Sequence, residues 1–296
     1  MARRAGLIEP DVQTAAPRVT AIVVSHDSGR ELGDCIADLL AQDVPVQIIL
    51  VDNVSRDGSL AALPEHPALE RIENARNVGF GVACNQGAAR ATAAYLLFVN
   101  PDCRLPVDTI SRLLGHLEHG PDLGMLGARL LNRDGSVQAA AERQTPVPAD
   151  AIRRVLGLAE RTTVAVPTKD TTPLRPVEAT SGALMLMPRT LFEALGGFDP
   201  GYVLHCEDLD LCRRVLASGK GIAVATDVPV IHLKGTSSRK RPIWVEWHKH
   251  RGMWRYFRKF DAASSPWWLR GLVAAGIAAH FPLAAARALW RARSPG

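Results

Sequence analysis

Short apolar runs that stop abruptly on polar residues recur along the first half of the chain. The three clearest runs, each with the polar residues that end it, are Val19–Ser25, Val46–Asp52 and Leu96–Asp102. Apolar runs of this length, bounded by polar and turn residues, are typical of buried strands, and Pro101 cannot continue a strand. We therefore predict three strands whose carboxyl ends carry side chains suited to bind a ligand or a metal ion.

Helical periodicity separates these strands. Apolar residues recur every three or four positions within Glu31–Gln42, which predicts a helix after the first strand. A short third strand is predicted at Leu69–Glu73, and a helix at Ala88–Ala94, after the Asn- and Gly-rich stretch Asn74–Gly87. This alternation indicates an α/β fold with a doubly wound, mostly parallel sheet flanked by helices. In such a sheet the carboxyl ends of the strands face the ligand crevice.

The second half of the chain resumes this pattern after an irregular stretch. Asn132–Ser136 has the residues of a hairpin-like turn. The Pro- and Thr-rich stretch Thr145–Pro176, with one short helical piece at Asp150–Glu160, is expected to form an ordered loop or a mobile lid. Two further strands are predicted at Leu184–Met187 and Gly221–Val230.

Composition indicates a folded protein with an uneven charge distribution. The 296 residues, 47% hydrophobic and 22% charged, suffice for one large domain or two small ones. From Arg239 onward twelve basic residues stand against two acidic ones, a net charge of +10 within a total of +5, so residues 1–238 carry −5. Such a basic tail favours an anionic partner, either membrane phospholipid or a phosphorylated substrate.

Cysteine usage and the N-terminal residues bear on the cellular compartment. The five cysteines are scattered without a Cys-x-x-Cys pair, so the sequence signals neither a zinc site nor a disulfide framework, and a reducing compartment fits best. Residues 1–17 are expected to form a disordered leader. No apolar run follows the basic residues Arg3 and Arg4 before Glu9, so we expect no signal peptide.

A group of acidic residues opens a predicted helix in the second half. Glu207, Asp208 and Asp210 occupy its first turn, where the helix dipole favours negative charge. Either these acids cap a solvated helix, or the apolar residues around them raise the pKa of one carboxyl toward that of a useful general base. His232, which closes the last predicted strand, is a candidate metal ligand, although a lone histidine is usually structural.

Aromatic and basic residues interleave in the C-terminal segment. Four large rings share one face of a predicted helix: Trp244, Trp247, Trp254 and Phe257. This face either packs on the chain's own domain or meets a partner. The apolar segment Leu272–Leu289 contains a histidine, a proline and an arginine, which makes it a poor transmembrane helix and favours an anchor at the membrane interface. No nucleic-acid-binding motif accompanies the basic residues, so nucleic acid is not expected as a partner.

One glycine-rich stretch is similar to a dinucleotide-binding fingerprint. Gly79 and Gly81 have the required spacing, but Cys84 stands where the third glycine belongs. The stretch also follows the third predicted strand instead of the first. A nicotinamide-dependent oxidoreductase is therefore a weak alternative.

Eight motifs in a fixed order carry a more specific resemblance than any one of them alone. They are Val23–Ser28, Val51–Ser59, Asn77–Gly87, Asn100–Asp102, Ser181–Ala183, Gly196–Asp199, Glu207–Cys212 and His232. Over residues 19–240 the chain resembles the family 2 glycosyltransferases, and most of all their bacterial rhamnosyltransferase branch, which builds cell-wall and O-antigen polysaccharides.

This resemblance implies a domain organisation. A GT-A glycosyltransferase domain would span residues 18–238, with a nucleotide-binding half at 18–104 and an acceptor half at 105–238. A basic, aromatic, helical tail at 239–296 would extend it.

The resemblance also implies which residues bind a nucleotide-sugar donor. Ser25 and Asp52 would bind a pyrimidine nucleoside, while Asn77, Gly79 and Asn85 would approach the ribose and the phosphates. His26 and Asp27 stand where a Tyr-Asn pair is common in the family, which leaves open how that loop contacts the nucleotide.

The Asn100-Pro101-Asp102 motif implies a metal ion in the donor site. Asp102, with Asn100 beside it and His232 as a helper, would coordinate a divalent ion, Mg²⁺ or Mn²⁺, that bridges the diphosphate. The family often has an aspartate in place of Asn100. The amide removes one negative charge, which predicts weaker metal affinity.

The resemblance further implies the course of the reaction. Sugar transfer passes through an oxocarbenium-like state, and the acceptor hydroxyl loses its proton as it attacks the anomeric carbon. Asp208 is the predicted base, oriented by Glu207 or Asp210, in one displacement with inversion. Ser181 and Gly182 would bind the acceptor.

The predicted substrates follow from the same resemblance. The donor would be a pyrimidine nucleoside-diphosphate sugar, with rhamnose favoured, and the acceptor a saccharide or a lipid-diphosphate-linked sugar. The basic tail suits a protein that lies peripherally on the cytoplasmic face of the inner membrane. The alternatives are a nucleotide-sugar-binding protein of the same fold without turnover, which Asn100 favours, and the oxidoreductase named above.

Overall fold

A mixed β-sheet forms the centre of the molecule. The computed structural model describes residues 16–138, 142–143, 172–233 and 242–293. Within those ranges the strands are β1 Val19–Ser25, β2 Val46–Asp52, β3 Leu69–Glu73, β4 Tyr95–Val99, β5 Cys103–Arg104, β6 Leu123–Leu131, β7 Glu142–Arg143, β8 Leu174–Pro176, β9 Ala179–Thr180, β10 Leu184–Pro188 and β11 Gly221–His232. The large sheet has the order β3-β2-β1-β4-β10-β6-β11-β5, β8 pairs with β11, and β7 and β9 form a separate pair.

Seven helices of the described ranges cover and extend this sheet. They are α1 Glu31–Leu40, α2 Phe80–Ala88, α3 Thr109–His119, α4 Arg189–Ala194, α5 Glu207–Ala217, α6 Pro242–Phe260 and α7 Trp267–Arg293. Alternate residues of the strands point to opposite faces, so the sheet has two cores. Val19, Ala21 and Val23 pack with α1 and α3, whereas Ile22 and Val24 pack with α2, α4 and α5. The predicted α/β fold with a mostly parallel, doubly covered sheet is confirmed.

Strand direction determines where the polar strand ends meet. Strands β3, β2, β1 and β4 are parallel, so their carboxyl ends lie along one edge. Strand β10 is antiparallel to β4, and Leu184 pairs with Val99, so the residues that precede β10 reach the same edge. Strand β11 is parallel to β6, which neighbours β10 in the sheet, and its last residue, His232, pairs with Cys103.

The helix that precedes β4 is not where the sequence predicts it. It spans Phe80–Ala88 instead of Ala88–Ala94, because part of the Asn- and Gly-rich stretch is helical and its glycines allow close packing. Gly79 starts the helix with a φ of 86°. A Cβ on Gly87 would come within 2.6 Å of Ile22 Cγ2 on β1, so only glycine allows this approach.

The C-terminal helices attach to the domain unequally. Helix α6 buries Tyr256 and Phe257 and forms ion pairs with residues near α5. Helix α7 contacts α6 through His250 Nε2 and His280 Nδ1, 3.0 Å apart, and it continues through Pro282 without ending.

Helix α7 is the one membrane-span candidate among the residues that the structure describes. Its stretch Trp267–Trp290 is long and apolar enough to cross a membrane by length and composition, with a mean hydropathy of 1.5. Within the most apolar 18 consecutive residues of this stretch, the share that is buried inside the protein is 0%. The helix is continuous through the interrupting residues, and the sequence prediction of an anchor at the membrane interface stays a prediction.

The remaining sequence predictions divide by where they fall. The turn at Asn132–Ser136 is confirmed by the hydrogen bond from Asn132 N to Ser136 O, 2.8 Å. The helical piece at Asp150–Glu160 and the leader up to residue 15 lie outside the described residues. The domain boundary at residue 238 is likewise in an undescribed stretch and stays a prediction.

Candidate active site

The ends of β1 and β2 form a tightly hydrogen-bonded floor. Asp52 Oδ2 accepts the backbone N–H of Ser55 at 2.9 Å, and Asp52 Oδ1 accepts the Ser55 hydroxyl at 2.5 Å. Ser25 Oγ donates to Ser28 Oγ at 3.0 Å. Asp52 is 4% exposed and Ser25 is fully buried. Both predicted donor residues thus shape the turn after each strand, and their contact with a nucleoside stays a prediction.

A cleft of about 630 Å³ opens above this floor. Its lining from the strand ends is His26, Asp27, Asn53, Val54 and Arg56, and its lining from the loop before α2 is Ala75, Arg76, Asn77 and Gly79. Arg56 and Arg76 bring positive charge to it, which suits a diphosphate. Val203, Leu204, Trp244 and Val245 complete the wall with Val24 and Phe80.

Amide side chains hold the loop before α2 in shape. Asn77 Oδ1 accepts the backbone N–H of Gly79 at 2.9 Å. Asn53 Nδ2 donates to Gly79 O at 3.3 Å, and Asn53 Oδ1 accepts from Asn74 Nδ2 at 3.0 Å. Asn77 and Gly79 therefore both line the cleft, as the sequence predicts for donor-binding residues, and their contacts with ribose or phosphate stay a prediction.

Asn85 has a different position from the other predicted donor residues. Its Nδ2 donates to Phe198 O and its Oδ1 accepts the backbone N–H of Phe198, each at 2.8 Å. These two bonds use both polar atoms of the amide and tie α2 to the Gly196–Phe198 turn. Asn85 is thus a structural clamp in this molecule, which gives no support to the prediction that it binds the donor.

The residues after β4 form a cluster with the end of β11. His232 Nε2 lies 3.2 Å from Asp102 Oδ1 and 3.3 Å from Asn100 Nδ2. His232 Nδ1 lies 3.1 Å from Gln138 Oε1, and Gln138 Nε2 donates to the His232 carbonyl at 2.6 Å. A glutamine oxygen only accepts, so Nδ1 carries a proton and Nε2 is the ring nitrogen that faces Asn100 and Asp102. This orientation of the ring suits a metal ligand.

Cys103 belongs to the same cluster by distance but not by chemistry. Ligand atoms of Asp102, Cys103 and His232 all lie within 4.8 Å of one another. The Cys103 thiol donates to Ala183 O at 3.4 Å, and burial raises its pKa well above the usual value. A protonated, fully buried thiol is a poor ligand for a hard cation such as Mg²⁺, so Asp102 and His232 are the ligands that the donor set favours.

One short segment, Gly182-Ala183, contacts both the acidic start of α5 and the residues that follow β4. The backbone N–H of Gly182 donates to Asp208 Oδ2 at 3.2 Å. The neighbouring residue, Ala183, accepts the Asn100 N–H through its carbonyl at 2.9 Å. Asp208 and the Asn100–Asp102 motif therefore both bond the backbone of the short segment Gly182-Ala183, although they are far apart in sequence. A Cβ on Gly182 would lie 3.4 Å from Asp208 Cβ, so the approach is close.

The other two acids of this helix have separate surroundings. Glu207 is buried, with its Cβ 3.8 Å from where a Cβ on Gly81 of α2 would lie. Asp210 is completely buried and faces the tail: Oδ1 pairs with Arg214 Nε at 2.6 Å and Oδ2 with Lys259 Nζ at 2.7 Å. The contacts of Asp210 thus oppose the prediction that it orients Asp208, because its oxygens bond cations instead.

Sequence patterns do not indicate the roles of three residues of the site. Gln138 holds the ring of His232, Lys259 of α6 neutralises Asp210, and Trp244 of α6 lines the cleft. Gln138 follows a turn and Lys259 lies in a basic run, so neither stands out in a sequence pattern. Trp244 stands out in the sequence only as one of four rings on a helical face.

Comparisons with known proteins agree with this geometry. A sequence profile described as glycosyl transferase family 2 matches residues 20–195, more than half of the chain. The N-acetylglucosaminyl-diphospho-decaprenol L-rhamnosyltransferase of Mycobacterium tuberculosis is 29% identical over 286 residues, which cover 86% of this chain and 89% of the relative. Rhamnosyltransferase WbbL of Escherichia coli is 26% identical over 223 residues, 72% of this chain and 83% of the relative.

A solved structure shares the fold. The mannosyltransferase PcManGT from Pyrobaculum calidifontis, in complex with GDP-Man and Mn²⁺, superposes with a TM-score of 0.58 at 22% identity. The alignment covers 97% of this chain and 78% of that one. The family match overturns the oxidoreductase alternative and also disfavours a binding protein without turnover. The polar strand ends lie along one edge of the sheet, and the family profile matches residues 20–195. The chain therefore belongs to glycosyl transferase family 2 and is a GT-A glycosyltransferase.

Proposed function

We propose that the protein is an inverting glycosyltransferase that transfers rhamnose from a pyrimidine nucleoside-diphosphate donor to a lipid-diphosphate-linked sugar in cell-surface polysaccharide synthesis. The names of its relatives support the sugar and the acceptor. The M. tuberculosis relative is named for rhamnose transfer to N-acetylglucosaminyl-diphospho-decaprenol and the E. coli relative for rhamnose transfer.

The observation that carries this proposal is the shared contact of Asp208 and Asn100 with Gly182-Ala183. A direct displacement needs a base on the acceptor side and a group that binds the departing diphosphate on the other side. Asp208 is the base in this proposal, held by the Gly182 N–H. Ser181, 9% exposed, and Gly182 lie beside it and would contact the acceptor. The configuration at the anomeric carbon inverts because the acceptor hydroxyl, deprotonated by Asp208, displaces the diphosphate in a single step.

A divalent cation fits the donor side of this arrangement. Asp102 offers a carboxylate oxygen and His232 an imidazole nitrogen, 3.2 Å apart, and divalent cations such as Mn²⁺ accept such ligands. When bound, the ion would neutralise charge that develops on the diphosphate. Asn100 contributes no negative charge, so the protein supplies fewer charges to the ion than an aspartate pair would.

The tail would bring the enzyme to the acceptor's membrane. Four exposed apolar side chains lie along one face of α7: Trp268, Leu272, Leu283 and Trp290, which are 55%, 50%, 58% and 70% exposed. Their positions fall within about 60° on a helical wheel with 3.6 residues per turn. Together with the net charge of +10 after Arg239, this face suits the cytoplasmic surface of an anionic inner membrane.

Transfer assays with the purified protein test the proposal. Rhamnose and mannose donors carrying dTDP, UDP or GDP are incubated with a short-chain N-acetylglucosaminyl-diphospho-polyprenol, with and without Mn²⁺. We expect rhamnose transfer from a pyrimidine donor, with an anomeric configuration in the product opposite to that in the donor. Retention of configuration, or transfer only from GDP-mannose, would contradict it.

A further inference from the structure

The donor cleft has a wall that comes from outside the matched family region. Trp244 and Val245 belong to α6, far beyond residue 195, yet both line the same cleft as Asn53 and Asn77. Trp244 is 39% exposed, so part of its ring is covered by protein and part faces the open space. The C-terminal segment therefore contributes directly to the cleft in addition to carrying positive charge.

Helix α6 is fixed strongly enough to hold this wall in place. Asp199 pairs with Arg255 at 2.7 Å and with Lys259 at 2.8 Å, and Lys259 also pairs with the buried Asp210 at 2.7 Å. A Cβ on Gly252 would lie 2.9 Å from His205 O, which shows how closely the helix packs on the loop before α5. The position of Trp244 is thus set by contacts further along its own helix.

The cleft is distinct from the part of the site that holds the predicted base. Its lining, as far as the described residues show, comes from the ends of β1 and β2, the Asn77 loop, the Val203-Leu204 stretch and α6. Asp102, Asp208 and His232 lie outside that lining. The part of a nucleotide sugar that fills this cleft is therefore the end remote from the transferred sugar.

The chemistry of the cleft matches a nucleoside. One wall is apolar and includes the flat indole of Trp244, while Asn77 supplies an amide and Arg56 and Arg76 supply cations. A nucleobase offers a flat π-face that stacks on aromatic rings whatever its hydrogen-bonding edge. The cations would meet the diphosphate that follows the ribose.

We propose that Trp244 is a donor-binding residue that packs against the nucleoside of the bound donor, so that the C-terminal helix α6 completes the nucleotide site. This inference rests on the proposed function, because it takes the occupant to be a nucleoside diphosphate. Trp247 provides the contrast on the same helix. It is 53% exposed, and its ring meets Phe281 of α7 at a centroid distance of 5.7 Å, away from the cleft lining.

Binding of free nucleotides to full-length variants tests the inference. Dissociation constants for UDP, dTDP and GDP are measured by calorimetry for the wild type, Trp244→Ala, Trp244→Phe and the matched control Trp247→Ala. Thermal melting of each variant shows that it is folded. We expect Trp244→Ala to weaken the preferred nucleotide about tenfold, Trp244→Phe to restore most of the affinity, and Trp247→Ala to change it less than twofold.

The outcomes separate this inference from the proposed function. If the wild type binds a nucleotide and folded Trp244→Ala binds it equally well, the role of Trp244 is refuted while the function stands. If the wild type binds none of the three nucleotides, the proposed function fails with it. If Trp244→Ala does not fold, Trp244→Phe decides the question. Nucleotide binding to the wild type and to Trp247→Phe should then change the tryptophan fluorescence, whereas binding to Trp244→Phe should not. An unaltered fluorescence change in Trp244→Phe refutes the inference.

Discussion

Gln138 Oε1 lies 3.1 Å from His232 Nδ1, and His232 Nε2 in turn lies 3.2 Å from Asp102 Oδ1. The glutamine thereby holds a proton on Nδ1 and directs Nε2 toward the carboxylate. Such outer partners of a metal-ligating histidine commonly tune affinity for the ion. The contact therefore links a residue without a recognisable motif to the predicted chemistry of Asp102.

Removing this partner is expected to weaken metal binding. In Gln138→Leu the ring of His232 loses its acceptor, so we expect the Mn²⁺ concentration for half-maximal activity to rise about 10- to 100-fold. Donor KM at saturating Mn²⁺ should stay within about twofold. The measurement is a Mn²⁺ titration of transfer activity, and an unchanged titration curve in a folded variant would show that His232 does not ligate the ion.

Asp210 is expected to act on stability instead of on turnover. Its carboxylate is fully buried between Arg214 and Lys259, and removing one partner of a buried ion pair costs about 3 kcal/mol. Asp210→Asn should lower the free energy of unfolding by about that amount in a urea titration. Its kcat at a temperature where it is folded should fall less than about tenfold.

A larger loss of kcat without a loss of stability would show that Asp210 takes part in catalysis. Lys259→Met serves as the matched variant, because it breaks the same pair from the tail side. The two single changes should not be additive, since they remove one shared interaction.

The attachment of α6 is expected to weaken in acid. Burial alone would raise the pKa of Asp199, but hydrogen bonds from Arg255 and Lys259 outweigh it and hold the pKa well below its usual 3.8. A carboxyl group with a lowered pKa in the folded state contributes stability above its unfolded pKa and loses it as the pH falls below that value. The contribution of Asp199 should therefore be complete at neutral pH and decline below 3.8.

The comparison of wild type with Asp199→Asn isolates this effect from other carboxylates. At neutral pH the variant should unfold more easily, by about 1 kcal/mol because the partners are partly exposed. The difference between the two melting curves should shrink as the pH falls below 3.8. A difference that stays constant into that range would mean that the ion pairs do not account for it.

The strand pattern predicted where the site lies but not which residues hold its side chains in place. The sequence identifies the polar residues at the strand ends because each apolar run stops where they begin. A parallel sheet then places the carboxyl ends of its strands along one edge. The partners of these residues depend on packing between distant segments. Asp210 looked catalytic beside Asp208, and only the position of Lys259 shows that it faces the tail.

Local helix propensity does not determine the extent of α2 and α7. Gly87 lies outside the helix predicted at Ala88–Ala94, yet it belongs to α2, where the helix lies against Ile22. Proline disfavours a helix interior, yet α7 continues through Pro282. In both places packing or context outside the local sequence overrides propensity.

The exposed face of α7 is expected to bind membranes. The double change Leu272→Glu and Leu283→Glu places two charges on the apolar face and should lower the fraction that sediments with anionic phospholipid vesicles at least about fivefold. Val107→Glu, at a residue 57% exposed on the domain itself, is the control and should sediment like the wild type. Equal sedimentation of all three proteins would remove α7 as the contact.

The central claim is that Asp208 receives the acceptor proton beside the segment Gly182-Ala183, whose backbone also bonds Asn100 of the predicted donor motif. Asp208→Asn keeps an oxygen for the Gly182 N–H but cannot act as a base, so kcat should fall about 10²- to 10⁴-fold. The dissociation constant of the donor nucleotide should change less than about twofold. Measuring both quantities on one preparation of Asp208→Asn is the most direct test. Retained turnover with lost nucleotide binding would contradict the account.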